Sequence, residues 1–172
     1  MIKKTLPISF LAIGLFMLSA CGFHLRGTVN YPDALKTLYI QSTPQLNAFA
    51  NRLKATLGMY HVTLVNSSKN APLTLDLMSD SLTLNQITVG SSQETRDYSV
   101  TYTVNYRILN QAGKTLVGPR AASDQSTVTA QPNEVLDNNT PRVAGAKRTL
   151  EQKVIYKLLL QLSSKNTLKA LG

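Results

Sequence analysis

The clearest pattern along the chain is a strict alternation of apolar and polar residues between positions 98 and 108. The apolar positions are Tyr98, Val100, Tyr102, Val104, Tyr106 and Ile108, and the polar positions are Ser99, Thr101, Thr103, Asn105 and Arg107. Successive side chains of a strand point to opposite faces, so this pattern predicts a strand with one buried face and one polar face. A turn over residues 110–114, which contains Gly113, predicts that the next strand, 115–129, pairs antiparallel with it.

The first third of the predicted domain is a strand, a helix and a second strand in close succession. Residues 35–41 and 61–65 are predicted as strands, and between them apolar residues recur at three- and four-residue spacings. Thr43 and Pro44 are typical of a helix N-cap followed by proline in the first turn, and Gly58 supplies the C-terminal stop. A unit of this kind usually joins two parallel strands.

Between residues 73 and 89 the alternation continues, but its apolar phase changes. Leu73, Leu75 and Leu77 are followed by Leu82 and Leu84, which predicts a bulge or a bend between the two runs. Residues 131–140 are predicted as a loop, and a second threonine–proline pair begins an amphipathic helix that ends at about residue 163. Together these elements predict an α+β fold, a two-layer sandwich with two amphipathic helices packed on one face of a mixed four- to five-stranded sheet.

The amino terminus has the parts of a bacterial lipoprotein export signal. Lys3 and Lys4 precede an apolar run over residues 8–17, and the run meets Leu-Ser-Ala-Cys at residues 18–21. The apolar run is too short to remain as a membrane span. We therefore expect cleavage before Cys21, with diacylglycerol on its sulfur and a fatty acyl group such as palmitate on its amine. A buried free thiol is the alternative explanation for this cysteine.

Cleavage divides the chain into four predicted parts. Residues 1–20 are the cleaved signal peptide, 21–34 a lipidated tether, 35–163 a single domain and 164–172 a C-terminal tail whose order the sequence leaves open. Because Cys21 is the only cysteine, no disulfide within the chain supports this domain. Gly22 stands where aspartate would retain a lipoprotein at the inner membrane, so we expect a lipid anchor in the outer membrane that faces the periplasm.

The chain is basic, with a formal net charge of +9 at pH 7. Most of the excess lies in residues 141–172, which contain seven lysines and arginines against Glu151 alone. Such a segment commonly binds nucleic acid inside a cell, but an exported chain does not meet it, so we expect no nucleic-acid partner. Anionic lipid, lipopolysaccharide or an acidic protein surface remain, and a solvated helix face is the simpler explanation for most individual lysines.

Residues that usually carry catalysis are scarce in this sequence. His24 lies close to the predicted lipid anchor and His61 opens a predicted strand, and neither has the spacing of a zinc site. Asp76 and Asp80 are four residues apart, which places them on one face of a strand and allows a carboxylate pair, although turn or edge positions explain them more simply. The common nucleophile and phosphate-binding motifs are missing from the sequence. We therefore expect no enzyme activity, no cofactor and no metal.

Residues 21–27, Cys-Gly-Phe-His-Leu-Arg-Gly, resemble the mature start of the LPS-assembly lipoprotein family, LptE. The order of predicted elements is also similar to that family, although only the heptad is specific. The resemblance implies a non-enzymatic outer-membrane lipoprotein that forms a complex with the LPS-transport beta-barrel. It further implies that the domain lodges in the barrel lumen as a plug and assists assembly of lipopolysaccharide at the cell surface.

The resemblance also implies which residues make contacts. A plug in a water-lined lumen must present hydrophilic side chains. The positions that fit this role are Ser99, Thr101, Thr103 and Asn105. The family's basic contacts to lipopolysaccharide lie in the loops before the alternating strand and before the last helix, where this chain has Ser-Ser-Gln at 91–93 and Val-Leu-Asp at 135–137. The nearest cations are Arg96 and Arg142, for which an ordinary solvent-facing arginine is the alternative.

A second hypothesis stays open on the sequence alone. The chain would be an independent periplasmic lipoprotein module that recognises peptidoglycan or another anionic envelope polymer through its basic C-terminal helix. A hydrolase is a third and weaker hypothesis, and it would require an activity that is lost when His61 or Asp76 is changed. Co-purification with a large barrel protein, as against retention on the cell wall, separates the first two hypotheses.

Overall fold

The structure is a computed structural model that describes residues 32–89, 96–131 and 134–172. Its strands are β1 (Thr37–Ser42), β2 (Thr63–Val65), β3 (Leu73–Val89), β4 (Arg96–Asn110) and β5 (Thr115–Ala130), and its α-helices are α1 (Asn47–Met59), α2 (Pro141–Leu162) and α3 (Lys165–Leu171). The predicted signal peptide, Cys21 and His24 lie outside the described residues. Nothing in the structure therefore tests the export signal or the lipid anchor.

The five strands form one mixed sheet in the order β2-β1-β3-β4-β5. β1 pairs in parallel with both β2 and β3, whereas β3, β4 and β5 pair antiparallel. The parallel pairing of β1 with β2 follows from the helix between them, which returns the chain to the end of the sheet where β1 began. The predicted α+β class, the mixed sheet and the β4–β5 hairpin are confirmed.

β3 contains the irregularity that its sequence predicted. The register with β4 shifts between Leu77 and Ser79, so Met78 is an extra residue on the β3 side. Leucines of the first run are buried, and Leu82 and Leu84 pack against the same core after the shift. The bulge therefore keeps both apolar runs of this 17-residue strand on one face of the sheet, although their sequence phases differ.

The core lies between the sheet and the two long helices, which both pack on the face that carries Tyr102. In α1, Phe49 packs on Tyr102 with ring centroids 6.1 Å apart, and Leu53 is fully buried. In α2, Leu150 and Val154 are fully buried. Each such side chain contributes about 1.5–3 kcal/mol through the apolar surface it removes from water. The predicted two-layer arrangement is thus confirmed, with α1 over the parallel half and α2 over the hairpin.

Several predicted boundaries were wrong by a few residues. Leu35 belongs to a short 3-10 helix, Asp33–Leu35, and β1 begins two residues later. His61 does not open a strand: it lies in the turn after α1 with a φ of +58°, and β2 begins at Thr63. Thr43 makes no side-chain capping bond, because a 3-10 turn separates it from α1. Thr140 also makes none, since its hydroxyl donates to Asp137.

The last residues, for which the sequence left the order open, form α3. The hydroxyl of Ser164 caps this helix by accepting from the backbone N–H of Thr167. Thr167 is buried and accepts a 2.7 Å hydrogen bond from Nη1 of Arg120 on β5. Leu168 and Leu171 pack against the core. A polar bond and two apolar contacts therefore fix the short helix to the edge of the sheet.

Candidate functional site

The face of β3, β4 and β5 opposite the helices carries regular rows of side chains, nearly all of them uncharged and polar. After the bulge, odd-numbered residues of all three strands point to this side, whereas the buried face holds Val100, Tyr102 and Val104. We call this surface the open face. Its rows are Ser79–Asn105–Ala121, Ser81–Thr103–Ser123, Thr83–Thr101–Gln125 and Asn85–Ser99–Thr127. With strand spacing of about 4.8 Å and rise of about 3.4 Å per residue, the patch measures roughly 10 Å by 20 Å.

Two side-chain hydrogen bonds lie at the ends of the open face. Nδ2 of Asn105 donates to Oγ of Ser79 over 3.0 Å. At the opposite end, the hydroxyl of Thr129 donates to Oδ1 of Asp97 over 2.6 Å. Hydroxyl and amide groups both donate and accept, so such a surface can exchange its water for a polar partner without burying charge. The open face is therefore suited to a wet, hydrogen-bonded contact.

One ion pair borders the open face at the end nearer β1. Nε of Arg107 donates to Oδ2 of Asp76 over 2.7 Å. The side chain of Asp76 is only 8% exposed and that of Arg107 is 39% exposed. The buried carboxylate is compensated by a charge-assisted bond, while part of the guanidinium remains at the surface. This pair places a fixed guanidinium group beside the uncharged rows of the open face.

On the helix side of the same strands, two buried tyrosines each pair their hydroxyl with a polar side chain. The hydroxyl of Tyr102 donates to Oδ2 of Asp80 over 2.9 Å, and that of Tyr106 donates to Oε1 of Gln161 over 2.8 Å. Burial raises the pKa of Tyr102 well above its usual range, and the bond to Asp80 adds to the effect. Burial also raises the pKa of Tyr106, although Arg120 opposes the rise. Both phenols stay protonated and act as structural donors.

A buried acid joins the two long helices. Oε2 of Glu151 lies 2.8 Å from Nη2 of Arg52 on α1, and Oε1 lies 4.0 Å from Nζ of Lys147. The Arg52 contact lacks hydrogen-bond geometry, so the attraction is ionic. Lys147 also lies 5.5 Å from the centre of the Tyr102 ring. Glu151 thus neutralises part of the basic helix layer from within, and the solvent side of that layer stays cationic.

Arg96 and Arg142, the two arginines predicted to contact lipopolysaccharide, lie at one end of the molecule. Arg96 is the first residue of β4 and pairs in register with Ala130, the last residue of β5. Arg142 is in the first turn of α2, with its Nε 3.6 Å from Oε2 of Glu134. Both side chains are exposed. Their contacts with lipopolysaccharide stay a prediction, and Arg142 would have to exchange its partner Glu134 for a ligand.

The residues considered for catalysis are not brought together. The expectation that Asp76 and Asp80 share a face was wrong, because the bulge at Met78 places Asp76 beside Arg107 on the open side and Asp80 beside Tyr102 on the helix side. Across residues 32–89, 96–131 and 134–172 no group of three His, Cys, Asp or Glu side chains could hold a metal ion. Sequence reasoning placed Arg107 on the polar face but missed its partner, because only the β3–β4 register shows it.

No helix in the described part of the chain has both the length and the apolar character needed to cross a membrane. The fold and the open face define an α+β sandwich whose sheet offers one polar surface for contact with another molecule. The sequence profile of the LptE family, described as lipopolysaccharide-assembly, matches residues 35–164. The chain therefore belongs to the LptE family.

Two curated relatives share part of this sequence. The chain is 25% identical over 100 residues to the LPS-assembly lipoprotein LptE of Pectobacterium atrosepticum, covering 58% of this chain and 54% of the relative. It is 26% identical over 103 residues to the LPS-assembly lipoprotein LptE of Photorhabdus laumondii, covering 60% of this chain and 57% of the relative. The chain thus spans little more than half the length of the curated relatives that it matches.

Two solved structures have a similar fold. The minor lipoprotein of Acinetobacter baumannii superposes with a TM-score of 0.59 at 16% identity, over 75% of this chain and 93% of that one. An uncharacterised lipoprotein B of Nitrosomonas europaea superposes with a TM-score of 0.60 at 17% identity, over 83% of this chain and 90% of that one. At such low identity these similarities concern the fold alone.

Proposed function

We propose that this chain is an outer-membrane lipoprotein that forms a complex with the LPS-transport beta-barrel and assists assembly of lipopolysaccharide at the cell surface. Membership of the LptE family supports this proposal, as do two relatives that carry the name LPS-assembly lipoprotein. The domain acts as a plug in the barrel lumen and performs no chemistry of its own. Its role is to stabilise and complete the partner by binding.

The observation that carries the proposal is the open face. The lumen of a membrane barrel is polar and water-lined, so a domain inside it needs a contact surface that exchanges hydrogen bonds. The proposed barrel contacts in β4 are Ser99, Thr101, Thr103 and Asn105, all of which lie on the open face. Bulky apolar side chains on this face would favour a contact that excludes water, whereas small hydroxyl and amide groups permit bridging water.

The anchor and the lipopolysaccharide contacts complete the proposal. Cys21 carries the acyl chains that hold the chain at the outer membrane, and several fatty chains together make a durable anchor. Arg96 and Arg142 are the proposed contacts to lipopolysaccharide, because exposed guanidinium groups bind phosphate through charge-assisted bonds. Their position at one end of the sheet supports a joint contact.

Purification of the chain from membranes in mild detergent tests the proposal. We expect a large barrel protein to co-purify in equal amount with the wild-type chain. Thr101→Lys with Thr103→Lys places two charges on the open face and should reduce the recovered barrel at least about tenfold, because lysines would be desolvated at the contact. The matched control is Thr149→Lys with Gln152→Lys, which adds the same charge to exposed positions of α2 and should keep the barrel bound.

Two results would contradict the proposal. If no barrel co-purifies and the wild-type chain is instead retained on isolated cell-wall sacculi, the chain is an independent peptidoglycan-binding module. The exposed lysines of α2, such as Lys153, would then be its contact. If both double variants lose the barrel equally, the open face has no special part in the complex.

A further inference from the structure

Within the described residues β5 is the last strand on one side of the sheet, so one edge of its backbone has no partner strand there. It is a long edge, with 16 residues. Natural edge strands usually avoid pairing with other chains by carrying lysines or prolines, by being short, or by being covered. From residue 121 to residue 130 β5 has a single charged residue, Asp124. The residues of this stretch therefore give it little protection against pairing with a strand of another chain.

Side chains occupy the backbone of this edge at three alternate residues. Nζ of Lys157 donates to the carbonyl of Ser123 over 2.9 Å, and Nε2 of Gln161 donates to the carbonyl of Ala121 over 3.1 Å. The backbone N–H of Gln125 donates to the side chain of Asp124 over 2.8 Å. A spacing of two residues is that of outward-pointing groups on one edge of an antiparallel strand. The same edge continues through residues 127 and 129.

Both donors from α2 are held in place by the sheet itself. Nζ of Lys157 forms an ion pair with Oδ2 of Asp124 over 2.9 Å, and this bond holds the pKa of Asp124 below its ordinary value. Oε1 of Gln161 accepts from the buried hydroxyl of Tyr106. Gln161 is thus held through Oε1 and donates through Nε2, whereas Nζ of Lys157 contacts both the Asp124 carboxylate and the Ser123 carbonyl. We call Lys157 and Gln161 the edge latch.

We propose that the β5 edge is a strand-pairing surface for a second copy of this chain, and that the edge latch keeps it closed. Two copies of β5 would pair antiparallel about a two-fold axis, which extends both sheets. The exposed residues of the strand favour this partner, because Ser, Thr, Gln and Ala can face their symmetry equivalents without repulsion. The proposal goes beyond the proposed function and does not depend on it.

The test removes the two donors and keeps their apolar stems. The full chain carrying Lys157→Met with Gln161→Met is purified in mild detergent, and its protein mass is measured by light scattering during size-exclusion chromatography. We expect this variant to dimerise with an affinity at least about tenfold higher than the wild-type chain, because outward carbonyls of β5 become available. The matched control, Lys153→Met with Gln152→Met, makes the same chemical changes on α2 and should stay monomeric like the wild type.

A third variant distinguishes strand pairing from nonspecific association. Thr127→Lys, added to the latch variant, places a charge on the proposed pairing strand and should restore the monomer. Lys157→Met alone keeps the Tyr106–Gln161 bond, and we expect this single variant to dimerise with an intermediate affinity. A folded Lys157→Met variant that remains as monomeric as the wild type would overturn the proposal. So would equal dimerisation of the latch variant and of the control that carries Lys153→Met with Gln152→Met.

Discussion

The two faces of the sheet carry side chains that differ in size, burial and hydrogen bonding. On the helix side, β4 presents large side chains such as Tyr102 and Tyr106, which are 1% exposed and whose hydroxyls each have a fixed partner. On the open face, residues one position along the same strand, such as Thr103, remain partly accessible to solvent. A single strand therefore separates the groups that stabilise the fold from the groups available to a partner.

This difference explains how a small domain can present a wet surface and still fold without disulfides in its described part. The apolar contacts lie between the sheet and the helices, so the open face needs little packing of its own. Its hydroxyl and amide groups can be selected for binding, because their loss costs the fold little. Four predictions, in order of decreasing effect, test this separation between stability and binding.

The sharpest comparison places the same charge on adjacent residues of β4. Tyr102→Asp puts a carboxylate among apolar side chains and next to Asp80, which should cost several kcal/mol and leave the domain unfolded. Leu53→Asp in α1 should do the same from the opposite layer. Thr103→Asp points to the open face and should change stability by about 0.5 kcal/mol or less. Thermal unfolding followed by circular dichroism measures all three.

Equal melting temperatures for Tyr102→Asp and Thr103→Asp would mean that the faces of the sheet are assigned the wrong way round.

The second comparison concerns a buried acid on each side of the sheet. Arg52→Ala leaves Glu151 without its nearest cation between the helices, and Arg107→Ala leaves Asp76 without its partner beside the open face. Because both arginines are partly exposed, we expect a loss of about 1–3 kcal/mol in each case, less than for a fully buried pair. Arg148→Ala, at an exposed position of α2, is the control. Urea unfolding should show no significant loss of stability for the control. An equally small loss for Arg107→Ala would show that the Arg107–Asp76 ion pair does not stabilise the fold.

The third comparison concerns the stability lost with a partly buried hydrogen bond and with an exposed one. Tyr106→Phe removes the donor to Gln161 and should cost about 0.5–1.5 kcal/mol, because a polar atom loses its partner in the protein interior. Asn105→Ala removes a bond of similar length to Ser79, but solvent replaces it on the open face. We therefore expect a smaller loss for Asn105→Ala in chemical denaturation. The reverse order would show that the open face contributes more to stability than its exposure suggests.

The smallest predicted effect depends on pH. The hydrogen bond from Lys157 holds the pKa of Asp124 below its ordinary value of 3.8. Folding thus favours the carboxylate, so its contribution is fully present above the ordinary pKa and is lost as the pH falls through the lower, folded value. Asp124→Asn should lose less stability than the wild type between about pH 5 and pH 2. Parallel stability curves for the two chains over this range would exclude a role for the Asp124–Lys157 pair in acid sensitivity.

Much of the fold could be predicted because hydrophobic periodicity reports burial directly. The alternation from Tyr98 to Ile108 appears in β4, and the phase change after Leu77 appears as the bulge in β3. Local capping chemistry was less informative. Thr43 and Thr140 precede prolines at helix starts as expected, yet neither hydroxyl caps its helix. A 3-10 turn separates Thr43 from α1, and the hydroxyl of Thr140 donates to Asp137 instead.

The candidate site was predictable only in part. The polar side of β4 was placed correctly by alternation within one strand. The rows that continue onto β3 and β5 depend on pairing register, which a single sequence does not report. For the same reason Asp76 and Asp80 were wrongly expected on one face, and the edge latch of Lys157 and Gln161 could not be foreseen. Those contacts join residues more than thirty positions apart and exist only in the folded chain.

Site-specific photocrosslinking in membranes determines whether the open face contacts the barrel partner. A photoreactive residue is placed at Thr103 in one chain and at Lys153, on the outer side of α2, in another. We expect the Thr103 chain to form a covalent adduct with a large barrel protein in high yield. Absence of an adduct from Thr103, together with a strong adduct from Lys153, would contradict this expectation.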